Sequence, residues 1–356
     1  MSSSQVAARR LASVTGHILA TKLGSEGRKL GPLSCASSMP TVLFIEDHME
    51  GTMAKDEVIK AFQLHDFRAV WSSDVDLAKD VQDSVVALVT VKKKVDEAMV
   101  QMYSQLKLVA VAFTGFDHVD VDACQKRGVQ VANVPGYSTD GVAELSFGLI
   151  FSLLRHIPLA HSHIRQGKWA WPPGNELSGK RLGVIGTGQI GMRVAEIGKA
   201  FHVSKLLGYD QFKNPKFASE LGGFYESSLA TLFLHADIVV ICVALTKQTR
   251  GLVSEKLLKL LRPDSLLINC ARGAIIDQTA LTKFLKEGRF RAGVDVYEVE
   301  PLPEDDPIRT IPEQNLVTLP HLAYKCEESL QRRHDVTLAN ILAFFADSPQ
   351  NIVSVA

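Results

Sequence analysis

The feature that most constrains this chain is a glycine pattern set between a strand and a helix. The run RLGVI, residues 181–185, leads directly into GTGQIG, with glycines at 186, 188 and 191, and then into the helical pattern MRVAEIGKAF. Each glycine has its own physical reason. Gly186 makes the tight turn, Gly188 lets backbone approach a pyrophosphate, and Gly191 lets the helix pack on the strand, so that the helix N-terminus faces the anion. A plain strand-to-helix turn could use the same glycines. The next strand, KLLGYD at 205–210, decides for a dinucleotide: it ends in Asp210, about 20 positions after Gly191, where a carboxylate can accept hydrogen bonds from ribose hydroxyls. Gln189 and Ile190 complete the loop. Asp210 also repels a 2′-phosphate, and Gln211 and Phe212 offer no arginine to bind one, which favours NAD(H) over NADP(H).

Around this motif, short apolar runs alternate with helical patterns. TVLFI (41–45), SVVALVTV (84–91), LKLVAVA and GVQVAN (128–133) form a first series, which predicts parallel sheet built from βαβ units. A loop-like stretch, WAWPPG (169–174), precedes a second series: RLGVI, KLLGYD, DIVVICV (237–243), SLLINCA (265–271), AGVDV (292–296) and NLVTLP (315–320). Near-continuous apolar strands imply a sheet covered on both faces, hence an α/β, doubly wound fold. Val142–Leu154 contains Glu144 and is too short to span a bilayer, so it reads as a buried helix, with a subunit contact as one use. DVTLANILAFFAD (335–347) reads as an amphipathic helix near the end of the chain.

Composition bounds the rest. A chain of 356 residues predicts two domains, and 39 basic against 39 acidic residues leave no net field to draw it to nucleic acid or a membrane surface. Five scattered cysteines, at 35, 124, 242, 270 and 326, show no CxxC pair and no metal-ligand spacing; they fit a reduced compartment, with no metal expected. Residues 1–40 are rich in serine and basic residues, with Glu26 the single acidic one. Two readings of this segment stand side by side, a transit peptide for mitochondrion or plastid and a flexible tail of a cytoplasmic protein.

Ligands of open α/β sheets sit beyond the carboxyl ends of the strands, so the chemistry is sought there. Gly186, Asp210, Val243 with Ala244, then Cys270, Ala271 and Arg272, then Asp295, then His321 all fall at or just past a strand end. A 2-keto acid needs a cation for its carboxylate and a proton donor for its carbonyl oxygen. Arg272 suits the first, because a guanidinium grips a carboxylate with two parallel bonds. His321 suits the second, since an imidazole titrates near physiological pH and can donate in one direction and accept in the other. Glu300 can hold one imidazole nitrogen, and Asp295 can meet a nicotinamide carboxamide.

LKLVAVAFTGFDHVDVDACQKRGVQVANVPGYSTDGVAEL, ELSGKRLGVIGTGQIG, VALTKQTRGLV, LINCARGAIID, GVDVYEVEP and LPHLAY stand in the order found in the D-isomer-specific 2-hydroxyacid dehydrogenase family, which the chain resembles from Thr41 onward. The resemblance implies a catalytic triad of Arg272, Glu300 and His321, and a cofactor site extended by Thr246. It implies two doubly wound domains: a Rossmann NAD-binding domain, 140–324, inserted in a flavodoxin-like substrate domain, 41–139 plus 325–356. Backbone groups of Thr114, Gly115 and Phe116 would face the substrate carboxylate, with Val91 to Lys93 nearby, and such enzymes are usually homodimers. ANVPGYST and the ending NILAFFADSPQNIV most resemble the glycerate dehydrogenase or hydroxypyruvate reductase branch, whereas Ala244, Gln189 and the run Leu322–Lys325 depart from common family residues. Other readings of the same resemblance are an NAD(H)-sensing co-repressor and a D-lactate, formate or phosphite dehydrogenase.

Overall fold

The structure is a computed structural model and describes residues 39–46, 55–73, 81–169 and 173–353. The transit-like segment 1–40 lies outside the described residues except for Met39 and Pro40, as does the middle of the loop 169–174. The chain divides into two compact units, one comprising residues 138–326 and the other the flanking segments up to Tyr137 and from Glu327.

In the flanking unit, β1 (Thr41–Phe44), β2 (Arg68–Trp71), β3 (Val85–Thr90), β4 (Leu108–Val111) and β5 (Gln130–Ala132) form one sheet in the order β2-β1-β3-β4-β5. Every pairing is parallel. The chain runs from β1 outward to β2 and then crosses back to β3, so the crevice between β1 and β3 is a topological switch point, as in flavodoxin-like sheets. All six residues of β3 are buried, which explains the unbroken apolar run that reveals it in the sequence. The chain returns to this unit as the helix Glu327–Phe345, longer than the expected 335–347 pattern. Asn340 Nδ2 on that helix donates to the Asn133 carbonyl at 2.8 Å and Arg332 Nε to that of Tyr137 at 2.9 Å, which ties the late helix to the β5 region.

In the inserted unit, β6 (Arg181–Ile185), β7 (Lys205–Tyr209), β8 (Phe224–Tyr225), β9 (Ile238–Ile241), β10 (Leu266–Asn269), β11 (Arg291–Val294) and β12 (Leu316–Thr318) are ordered β12-β11-β10-β9-β6-β7-β8, again all parallel. Strand side chains alternate between two cores. Ile238, Val240, Leu266 and Ile268 point to the side covered by the helices Thr139–Leu154 and Gln189–Ala200. Val239, Ile241 and Leu267 point to the side covered by Leu229–His235 and Gln278–Lys286. Each such fully buried Leu, Ile or Val contributes about 1.5–3 kcal/mol of transfer free energy. Thr139–Leu154 therefore buries its apolar residues within its own unit. No single helix among the described residues is long and apolar enough to cross a membrane.

Two strands escape sequence reading. β2 has only two buried residues of four and β8 is two residues long, so neither carries the apolar run that marks the central strands.

Candidate active site

The glycine loop joins β6 to the helix Gln189–Ala200 at the β6/β9 switch point, and its three glycines differ as their roles require. Gly186 has φ +92, and a Cβ there would lie 2.8 Å from Val243 Cγ1 and 2.9 Å from the Cys242 carbonyl carbon. At Gly191 a Cβ would lie 1.8 Å from the Gly186 carbonyl oxygen, so helix and strand touch there. A Cβ at Gly188 would meet nothing within 4 Å. This open space in front of a helix N-terminus fits the diphosphate of a dinucleotide. Gln189 opens the helix, and Ile190 packs partly into the core behind it.

Asp210 follows β7 and fastens the loop. Its carboxylate accepts from the Thr187 amide at 2.5 Å, the Thr187 hydroxyl at 3.1 Å and the Phe212 amide at 2.9 Å. The Thr187 hydroxyl also lies 2.6 Å from that of Tyr225, and the Tyr225 hydroxyl accepts from the Asn214 amide at 2.8 Å. Thr187 and Tyr225 were not singled out in the sequence; Thr187 sits inside the glycine motif, but Tyr225 lies on the short β8 and carries no signal.

After β9 come Val243, partly buried, and Ala244, exposed. Thr246 turns the next loop: its amide donates to Thr249 Oγ1 at 2.8 Å, and its hydroxyl accepts from the Gln248 and Thr249 amides. After β10, Cys270 is buried, and burial pushes its thiol up to about 12, so it packs as an apolar residue. Ala271 and Arg272 follow, both partly exposed. Asn269 shapes this turn, accepting from the Ala271 amide at 3.0 Å and donating to the Arg272 carbonyl at 2.9 Å. Gly273 then runs against the next loop so closely that a Cβ would lie 1.9 Å from the Tyr297 carbonyl carbon.

That next loop carries Glu300. Glu300 Oε1 accepts from the Tyr297 amide at 3.1 Å, while Oε2 lies 2.6 Å from His321 Nδ1. A carboxylate only accepts, so Nδ1 carries the hydrogen and the ring's second nitrogen is Nε2. The His321 side chain is 11% exposed, follows β12, and stands on left-handed backbone with φ +54. A second pair, His235 and Glu226 at 2.8 Å, shows that pairing alone does not make a site: its imidazole is 55% exposed at the end of a helix.

Asp295 differs from its expected role. It is 0% exposed, and its two carboxylate oxygens accept from the Leu322 and Ala323 amides, each at 2.8 Å, while its carbonyl accepts from the His321 amide at 2.7 Å. Burial pushes its carboxyl up, against the two amide bonds that pull it down. In this structure Asp295 is buried and holds the backbone of His321–Ala323. Because β10, β11 and β12 are neighbours, Arg272, Glu300 and His321 emerge along one edge of one sheet. Among the described residues no group of His, Cys, Asp or Glu could hold a metal ion.

In the flanking unit, Thr114, Gly115 and Phe116 follow β4 and are partly exposed. Thr114 is anchored at both ends, its hydroxyl donating to the Val134 carbonyl and its carbonyl accepting from Asn133 Nδ2, each at 2.8 Å. The amides of Val91 and Lys92, after β3, donate to the carboxylate of Glu46, which also accepts from the Thr90 hydroxyl at 3.0 Å. Glu46 was missed by sequence reasoning, although its place just past β1 is the same signal that marks Asp210 and His321.

A sequence profile described as the D-isomer specific 2-hydroxyacid dehydrogenase, NAD binding domain, matches residues 147–323. Glyoxylate reductase of Thermococcus litoralis is 35% identical over 283 residues, covering 76% of this chain and 83% of the relative. Among solved structures, D-lactate dehydrogenase from Aquifex aeolicus, complexed with NAD and lactic acid, is 28% identical with a TM-score of 0.76, covering 86% of this chain and 96% of that one. An NADPH-dependent glyoxylate/hydroxypyruvate reductase of Sinorhizobium meliloti, in complex with NADP and malonate, is 27% identical with a TM-score of 0.78, covering 89% and 97%. With its glycine loop and its strand-end imidazole in these positions, the chain belongs to the D-isomer-specific 2-hydroxyacid dehydrogenases, nicotinamide-dependent oxidoreductases acting on a CH–OH group.

Proposed function

We propose that the chain reduces a small 2-keto acid, glyoxylate or hydroxypyruvate, to the 2-hydroxy acid with NADH. One observation carries the reading: the His321–Glu300 pair at 2.6 Å stands past a strand end, on the same sheet edge as Arg272. The nicotinamide, when bound, supplies the hydride. Arg272 binds the substrate carboxylate and turns the keto carbon to a fixed place. His321 gives the proton from Nε2 to the keto oxygen, and Glu300, on Nδ1, stabilises the ring while it is protonated. In the reverse direction the same nitrogen takes the hydroxyl proton.

NADH is proposed over NADPH because Asp210 brings a negative charge to the end of β7, where a 2′-phosphate would be repelled. The carboxylate keeps lone pairs for a ribose hydroxyl beyond its bonds to Thr187 and Phe212. Kinship with the glyoxylate reductase of Thermococcus litoralis supports the substrate class. The family's usual homodimer is part of the proposal, and light scattering on purified protein tests it. The deciding experiment follows NADH and NADPH oxidation with glyoxylate, hydroxypyruvate, pyruvate and longer 2-keto acids. Turnover of the first two with NADH is expected. No turnover with any acid would replace the enzyme by a cofactor-sensing binding protein.

A further inference from the structure

The five-stranded sheet has its own switch-point crevice, between β1 and β3, and the chain fills it with its own anion. Successive amides past β3, at Val91 and Lys92, converge on Glu46, with the Thr90 hydroxyl on the same carboxylate. Such a run of amides is an anion-binding concavity. Burial alone would raise the Glu46 carboxyl, yet the amides of Val91, Lys93 and Lys92 and the Thr90 hydroxyl hold it below its ordinary range, so it is charged at neutral pH. The surroundings are cationic: Lys92, Lys93 and Lys94 follow β3, Lys93 Nζ reaching the Ile45 carbonyl at 3.2 Å and Lys94 Nζ lying 3.6 Å from Asp96.

We propose that Glu46 is a specificity-determining residue: by occupying these amides it excludes 2-keto acids that carry a second anionic group. The inference rests on the 2-keto acid reading above and deepens it to acids with an uncharged tail. Adjacency makes the case. β3 and β4 are neighbours, with Thr90 opposite Val111 and Val95 bridged to Val119, so the segment past β3 that holds Glu46 runs alongside the loop Thr114–Phe116 past β4. An acid held by its first carboxylate at that loop, with its tail toward β3, would bring a second carboxylate toward the place Glu46 holds. There it meets a fixed negative charge and amides already donated. Without the Glu46 carboxylate the same lysines and amides would receive an anion.

The test compares kcat/KM of the full chain, with NADH, for glyoxylate and hydroxypyruvate against 2-oxosuccinate and 3-phosphohydroxypyruvate. Wild type should prefer the uncharged tails, and Glu46→Ala should reduce that preference at least about tenfold, mainly through KM of the charged acids. Glu46→Gln keeps an acceptor for the amides without the charge; it should reduce the preference less, and it carries the test if Glu46→Ala does not fold. A ratio within twofold of wild type in the folded variants overturns the proposal, as does wild type favouring the charged acids. Should wild type reduce none of these acids, the function reading fails separately, and titration calorimetry with inorganic phosphate decides here. Phosphate binding by the folded Glu46 variant but not by wild type sustains the role; equal binding, or none by either, ends it.

Discussion

The two sheets treat the same topological position in opposite ways. Where β6 parts from β9 the backbone bears glycine, and a side chain at 188 would meet nothing within 4 Å. Where β1 parts from β3 the amides of Val91 and Lys92 are already bound to Glu46. Parallel winding makes a crevice in both sheets; side chains decide whether it receives a ligand from outside or closes on itself.

The sharpest way to break this contrast is to remove the proton donor at the seven-stranded edge. His321→Gln should lower kcat by about 10² to 10⁴ while NADH affinity, read by fluorescence titration, changes only a few-fold. Equal losses in both would mean that His321 serves the fold. Arg272→Ala should come next, at about 2–5 kcal/mol in kcat/KM for the keto acid, because a desolvated carboxylate would lose its cation. Near-wild-type efficiency would remove Arg272 from the site.

The glycines sharpen the comparison within one loop. Gly191→Ala forces a Cβ to 1.8 Å from a backbone oxygen and should cost about 3 kcal/mol or more, seen as a lower melting temperature even without cofactor. Gly188→Ala should melt as wild type does and bind NADH more weakly, since the added methyl enters only the open space. Identical behaviour of the two variants would contradict the division of roles.

The smallest effect concerns the five-stranded unit and pH. His334, on the helix Glu327–Phe345, is buried with neither ring nitrogen hydrogen-bonded, and burial, helped by Arg333, depresses it from 6.5 to about 4. The unfolded chain takes up this proton near 6.5 and the folded chain only near 4, so the stabilisation is complete above 6.5 and is lost as pH falls through that window. The loss is about 3 kcal/mol at most. Hydrogen exchange along Glu327–Phe345 should accelerate accordingly, after correction for intrinsic rates, and His334→Phe should flatten that trend. An unchanged slope in the variant would assign the pH response elsewhere.

Central strands and the glycine loop are legible in the sequence because one residue type answers to one constraint: unbroken apolar runs for strands covered on both faces, glycine where a Cβ cannot go. That Arg272, Asp210 and His321 fall past strand ends is legible from the apolar runs before them. Asp295 stands at such a place too, yet the structure turns it inward onto the Leu322 and Ala323 amides, because strand position says where a residue emerges and not what its side chain meets. Glu46 fails to stand out for a related reason: its partners, Thr90 to Lys92, lie more than 40 residues away, a distance that local patterns do not bridge. β2 is lost because only two of its four residues are buried, and β8 because two residues cannot print a pattern.

His321 stands on backbone that L-residues avoid, at φ +54. An unconstrained chain would give up roughly 1–2 kcal/mol to hold it so. The three bonds to Asp295 are what keep that turn wound. Relaxing it would suit the polypeptide and misdirect the ring, so here comfort of the main chain and aim of the imidazole pull against each other, and the buried aspartate settles the contest for aim.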